Sequence, residues 1–161
     1  MSAVRQSIRG ASQIYPDPCA VLDAADRALR SEHPEAIVSA FIGIFDPVTA
    51  TLTYASAGHP PPLLRDGEGA IVELAGSDLM LGLRLDHRDH VSHALTIEPD
   101  SMLVLYTDGL TEASRDIFQG YRDLRRMMAD PSVFASEDPA HAIAGASLSL
   151  MPVSYTHLAA S

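Results

Sequence analysis

Two short motifs put chemically capable side chains at the ends of apolar runs. The first is Tyr106-Thr107-Asp108-Gly109-Leu110-Thr111-Glu112-Ala113. The apolar run Met102 to Tyr106 reads as a buried strand, and it leads at once to a carboxylate and a glycine. An Asp placed there is fixed by the sheet and points beyond the strand end. That is a station for a hard cation, because Mg²⁺ and Mn²⁺ favour carboxylate oxygen. The alternative is that Asp108 caps a helix beginning near Leu110, since Asp-Gly after a strand is common in turns. The second motif is Ala57-Gly58-His59-Pro60-Pro61-Pro62-Leu63. Gly58 permits a backbone shape that other residues resist, and the prolines stiffen the exit. His59 could act as acid, base or ligand. Its plainer reading is a side chain that hydrogen-bonds its own loop.

Other candidates are weaker. His87, His90 and His93 have a spacing that suggests zinc, but on a strand His90 faces away from the other two, so the three cannot meet one metal. Cys19 is the only cysteine, so it forms no internal disulfide and gives no sign of an oxidising compartment. It reads as a small buried apolar side chain, with no base nearby to make it a nucleophile. The chain has no Gly-rich phosphate loop, no Cys-rich metal knuckle and no Gly-x-Ser-x-Gly elbow.

The elements that must position these motifs follow from periodicity and punctuation. Met1 to Ser12 reads as a helix that Pro16 breaks. Asp17-Pro18 starts a second helix, with Asp as N-cap and Pro at the first helical position. Val21, Leu22, Ala25, Ala28 and Leu29 form its apolar stripe, and Pro34 ends it. Ile37 to Phe45 predicts a buried strand. It is joined through Asp46-Pro47 to Thr51–Ala57 as a hairpin. Leu63-Leu64 and Ile71 to Leu74 flank Asp66-Gly67-Glu68-Gly69, a second hairpin signal. His90 to Ile97 and Met102 to Tyr106 read as further strands around a Pro99-Asp100 turn. Helical spacing returns with Tyr121, Leu124, Arg125 and Met128, then over Pro139 to Leu150. Strands grouped between helices predict an α+β domain over residues 1–150. Ile42, Ile44, Leu52, Tyr54, Leu103 and Leu105 are expected inside. Residues 151–161 lack a period and read as a disordered or foreign tail, removable without loss of stability.

A net charge of −10 argues against nucleic acid and anionic membranes as partners, since both require clustered Lys and Arg. No apolar h-region follows the N-terminus, and the longest apolar run, Ile37 to Phe45, is too short to span a bilayer. The chain therefore reads as cytoplasmic.

Taken in order, the pieces resemble the SpoIIE/RsbU branch of the protein phosphatase 2C-like metallophosphatases. The resemblance rests on Asp17-Pro18 with Val21-Leu22, and on Ala40-Phe41-Ile42-Gly43-Ile44-Phe45-Asp46. It continues through Leu52-Thr53-Tyr54-Ala55-Ser56-Ala57-Gly58-His59-Pro60-Pro61-Pro62-Leu63, Leu79 to Leu83, and Pro99 to Ala113. It covers about residues 3 to 130. It implies two stacked antiparallel sheets flanked by helices. It also implies two Mn²⁺ or Mg²⁺ ions that activate water against phosphoserine or phosphothreonine on a partner protein, such as an anti-sigma-factor antagonist. Asp108 matches the family's metal-binding Asp and Gly109 adjoins it, while Gly58 and His59 match a turn that shapes the fold near the site. The family's Gly-Asp strand with Gly-His-Gly and its closing Asp-Asp strand have no counterpart here. The resemblance therefore implies a domain truncated at both ends with an incomplete site, whose other reading is a non-catalytic interaction module.

Overall fold

The computed structural model describes residues 2–76, 78–83, 90–112 and 116–149. The expected tail, residues 151–161, lies outside them. Helices α1 (Ser2–Ser12) and α2 (Pro18–Glu32) come first. Among the described residues six strands follow: β1 (Ala40–Asp46), β2 (Thr51–Ala57), β3 (Leu63–Arg65), β4 (Ile71–Glu73), β5 (His93–Thr96) and β6 (Met102–Val104). Helices α3 (Asp108–Glu112), α4 (Ile117–Ala129), α5 (Pro131–Phe134) and α6 (Pro139–Ser149) complete the order. The class is α+β, with two antiparallel sheets and flanking helices, as the grouping of strands predicted. No helix among the described residues is long and apolar enough to cross a membrane.

The chain divides into two compact units, Met1–Pro61 with Leu74–Glu98, and Pro62–Glu73 with Pro99–Ser161. In the first unit, α2 starts as predicted. Asp17 has an extended backbone, its carboxylate accepts from the Ala20 amide at 3.1 Å, and Pro18 opens the helix. Val21, Leu22, Ala25 and Leu29 are buried, and the sheet supplies Ala40, Ala55 and Ala57 to the same core. The sheet order is β1-β2-β5. The Asp46 carboxylate closes the β1–β2 turn by accepting from the Val48 amide (2.8 Å) and the Thr49 hydroxyl (2.9 Å). Those bonds hold its pKa below the usual carboxylate value. Central β2 buries Leu52 and Tyr54. Strand β1 does not behave as the buried strand predicted: among the described residues only β2 flanks it, and Ile44 is 37 % and Phe45 51 % exposed.

In the second unit the order is β4-β3-β6. The Asp66 carboxylate accepts from the Glu68 and Ala70 amides and so shapes the β3–β4 turn. Leu63 of β3 joins Tyr106, Leu124, Met128, Val133 and Ile143 in one core. The last strand is shorter than predicted. β6 ends at Val104, so Leu105 is exposed, not inside, and Leu103 is only half-buried. Asp116 caps α4, accepting from the Phe118 and Gln119 amides.

Candidate functional site

Asp108 belongs to the second unit, four residues after the end of β6. Between them Tyr106 is buried in the core and anchors the chain. Asp108 is then the first residue of α3, with its side chain exposed. Its Oδ1 accepts from the amide of Gly109 at 2.9 Å, and its carbonyl accepts from the Thr111 hydroxyl at 3.0 Å. An N-cap would precede the helix and bind an amide two or three residues on. Asp108 does neither, so the capping alternative fails. α3 is held in turn by α4: a Cβ on Gly120 would collide with the Thr111 carbonyl, so only glycine lets the helices approach this closely.

Gly58 and His59 belong to the first unit. Gly58 has φ +65°, in the left-handed region that the sequence reading anticipated, and Met80 lies directly over it. Its amide donates to the Asp78 carbonyl at 2.8 Å. His59 departs from expectation. Its Nδ1 is buried and has no hydrogen-bond partner among the described residues, so the ring does not tie down its own loop. It sits edge-on to Phe41, with ring centres 6.2 Å apart. Burial pushes its pKa below the ordinary histidine value and keeps it neutral. Phe41 stacks on Tyr54, and Tyr54 on His93, so the loop histidine ends a row of rings along one face of the sheet.

The histidine trio resolves differently from its sequence argument. His87 lies outside the described residues. His90 precedes β5 and is not on the strand, so the alternating-face premise does not hold for it. Its Nδ1 lies 2.7 Å from Asp23 Oδ1, whereas His93 stacks on Tyr54. Cys19 is half-buried against the first unit's core, and burial chiefly pushes its thiol pKa up, which favours the inert protonated form.

Sequence reasoning missed Asp26. It is 1 % exposed, accepts from the Gly82 amide at 2.8 Å and pairs with Arg30 at 2.8 Å. Its only local signal is the Asp26–Arg30 spacing of four.

Asp108 fits a hard cation by donor type. Among the described residues, no three His, Cys, Asp or Glu side chains come together as a cation site. The described donors therefore supply one ligand, not a two-metal centre.

Protein IcfG of Synechocystis sp. is 31 % identical over 87 residues, which is 53 % of this chain and 14 % of that protein. The RsbU and RsbW domains of Rv1364c from Mycobacterium tuberculosis match with a TM-score of 0.78 and 22 % identity, covering 93 % of this chain and 41 % of that one. The PP2C phosphatase domain and regulatory fragment of Bacillus subtilis SpoIIE match with a TM-score of 0.76 and 13 % identity, over 91 % and 44 %. The two structural likenesses are of fold, and the chain spans less than half the length of any of these three relatives. The family model described as stage II sporulation protein E (SpoIIE) matches residues 1–151, and the chain belongs to that family.

Proposed function

We propose that this chain is part of a metal-dependent protein serine/threonine phosphatase, with Asp108 as a ligand of Mn²⁺ or Mg²⁺. The observation that carries this is the exposed Asp108 carboxylate. Gly109 holds one of its oxygens, and among the described residues the other accepts nothing. The Thr111 hydroxyl fixes the Asp108 backbone, and Gly120 lets α4 brace the short helix beneath it. A relative of the same fold, RsbX, has been solved in complex with magnesium. Bound ions of this kind lower the pKa of water and neutralise phosphoryl oxygens. Gly58 and His59 shape their turn and hold no ligand. The substrate class is a cytoplasmic phosphoserine or phosphothreonine regulator, such as an anti-sigma-factor antagonist.

The competing reading, a non-catalytic interaction module of the same fold, draws on the single carboxylate that the described residues bring to this station. A phosphate-release assay with Mn²⁺ and a phosphoserine antagonist separates the two. One carboxylate leaves a hard cation mostly to water, so the 161-residue chain alone should turn over little. Joined to the flanking segments of a solved relative's phosphatase domain, it should gain activity, and Asp108→Ala in that fusion should remove most of it. A fusion that is active but indifferent to Asp108→Ala rejects the ligand assignment. A fusion that binds Mn²⁺ yet releases no phosphate supports the interaction module.

A further inference from the structure

Among the described residues the Asp108 carboxylate is bonded by the next amide alone, so it stands where α3 puts it. α3 has five residues, too few to be stable by itself. It leans on α4. A Cβ on Gly120 would strike the Thr111 carbonyl, and the Thr111 hydroxyl in turn donates to the Asp108 carbonyl at 3.0 Å. Wherever α4 goes, Thr111 and Asp108 must follow.

The place of α4 is itself fixed in two ways. Leu124 and Met128 bury it in the core, but apolar contact has no direction and lets a helix slide or turn. A directional bond to the sheet comes from Arg125, whose Nη2 donates to the Ile71 carbonyl of β4 at 2.8 Å. Arg125 also lies 3.9 Å from Glu73, but that pair is long and its Glu73 side chain is 50 % exposed, so it contributes little. Gly120 and Arg125 are five positions apart on α4, about 140° around the helix. α4 thus meets α3 on one face and is bonded to β4 from another.

We propose that, with Asp108 the cation ligand as read above, Arg125 is its positioning residue. By bonding α4 to β4, Arg125 sets through Gly120 and Thr111 where the carboxylate stands, and so how well it holds Mn²⁺ or Mg²⁺. Groups that orient a metal ligand commonly change affinity by about 10- to 100-fold.

Two measurements on the full chain test this. Residual dipolar couplings give the orientation of α3 against β3 with no metal present. Titration with Mn²⁺ reads the paramagnetic broadening of the Gly109 amide signal. Arg125→Met keeps the apolar stem and removes the donor. It should turn α3 against β3 and raise the Mn²⁺ needed for half-broadening by about ten-fold. Arg125→Lys keeps a charged donor and should restore part of both. Glu73→Gln should change neither. Asp108→Ala should abolish the Gly109 broadening, which separates this station from the other carboxylates of an acidic chain. If Arg125→Met fails to fold, Arg125→Gln, too short to reach Ile71, serves in its place. A folded variant whose α3 keeps its orientation overturns the proposal. So does an α3 that turns with no change in the Mn²⁺ response, or a Glu73→Gln that matches Arg125→Met. A wild-type chain without Gly109 broadening, or with the same broadening in Asp108→Ala, overturns the ligand reading beneath it, whatever α3 does.

Discussion

The turn after β2 and the loop after β6 both follow a strand and both carry a family motif, but they use their residues in opposite ways. At the first, Gly58 takes a left-handed backbone beneath Met80, and the His59 ring is turned inward against Phe41. Gly58 and His59 are there committed to packing. At the second, the backbone is secured by its neighbours, Tyr106 in the core and Thr111 on the Asp108 carbonyl, and the Asp108 carboxylate is left exposed. A motif residue held by packing shapes a fold, whereas one whose carboxylate is exposed and bonded at one oxygen only, by the next amide, is available for chemistry. The two motifs should therefore fail differently when changed.

The sharpest break in that comparison comes from stability. Gly58→Val forces a branched residue into the left-handed region, at about 1–2 kcal/mol. It also drives a side chain into Met80, and overpacking of that kind costs about 1–3 kcal/mol. A total loss of about 2–5 kcal/mol should appear in urea unfolding. Asp108→Ala removes an exposed side chain that bonds only the next amide, and should change stability by less than about 0.5 kcal/mol. Equal losses at the two positions would abolish the distinction.

Asp26 offers the next test, because it sits inside the first unit and carries a charge. Asp26→Ala leaves the Gly82 amide without its acceptor and Arg30 without its buried partner. Hydrogen bonds to a charged group contribute about 1.5–3 kcal/mol, so a loss of that order is expected. Asp26→Asn keeps an acceptor for Gly82 and should recover part of it. If Asn is no better than Ala, the charge on Arg30, not the amide, is what Asp26 serves.

These cases also show what a sequence exposes and what it hides. The start of α2 and both hairpins were legible because Asp17, Asp46 and Asp66 act on amides two to four residues away. Burial along β1 and β6 was not. An apolar strand looks the same whether it lies at a centre or an edge, and strand order is fixed by pairings far apart in the chain. Ile44 lies on such an edge, and Leu105 lies just past the end of β6, so both are exposed. Asp26 was invisible because its acceptor role is to Gly82, 56 residues on. Asp108 was readable as a candidate only because its motif is local, and its capping role was excluded only by the observed helix start.

The smallest effect is a pH dependence that takes opposite sign in the two units. In the first, burial lowers the His59 pKa below its ordinary value. As pH falls through the ordinary histidine value of about 6.5, the unfolded chain takes up a proton that the folded chain refuses. Stability therefore drops on the acid side, and the His59 contribution is whole only above that value. In the second, burial chiefly, with Glu73 beside it, pushes the Tyr121 hydroxyl up to about 12. Between about 10 and that value the unfolded tyrosine ionises first, so stability drops as pH rises. Urea midpoints measured from about pH 5 to 8 keep clear of most carboxylate titrations, including the lowered Asp46 and Asp130. In that window His59→Phe should flatten the acid limb, and Tyr121→Phe should leave it as it is. An acid limb unchanged in His59→Phe would mean that the ring protonates in the fold as freely as in the open chain, and that the turn after β2 is not closed around it.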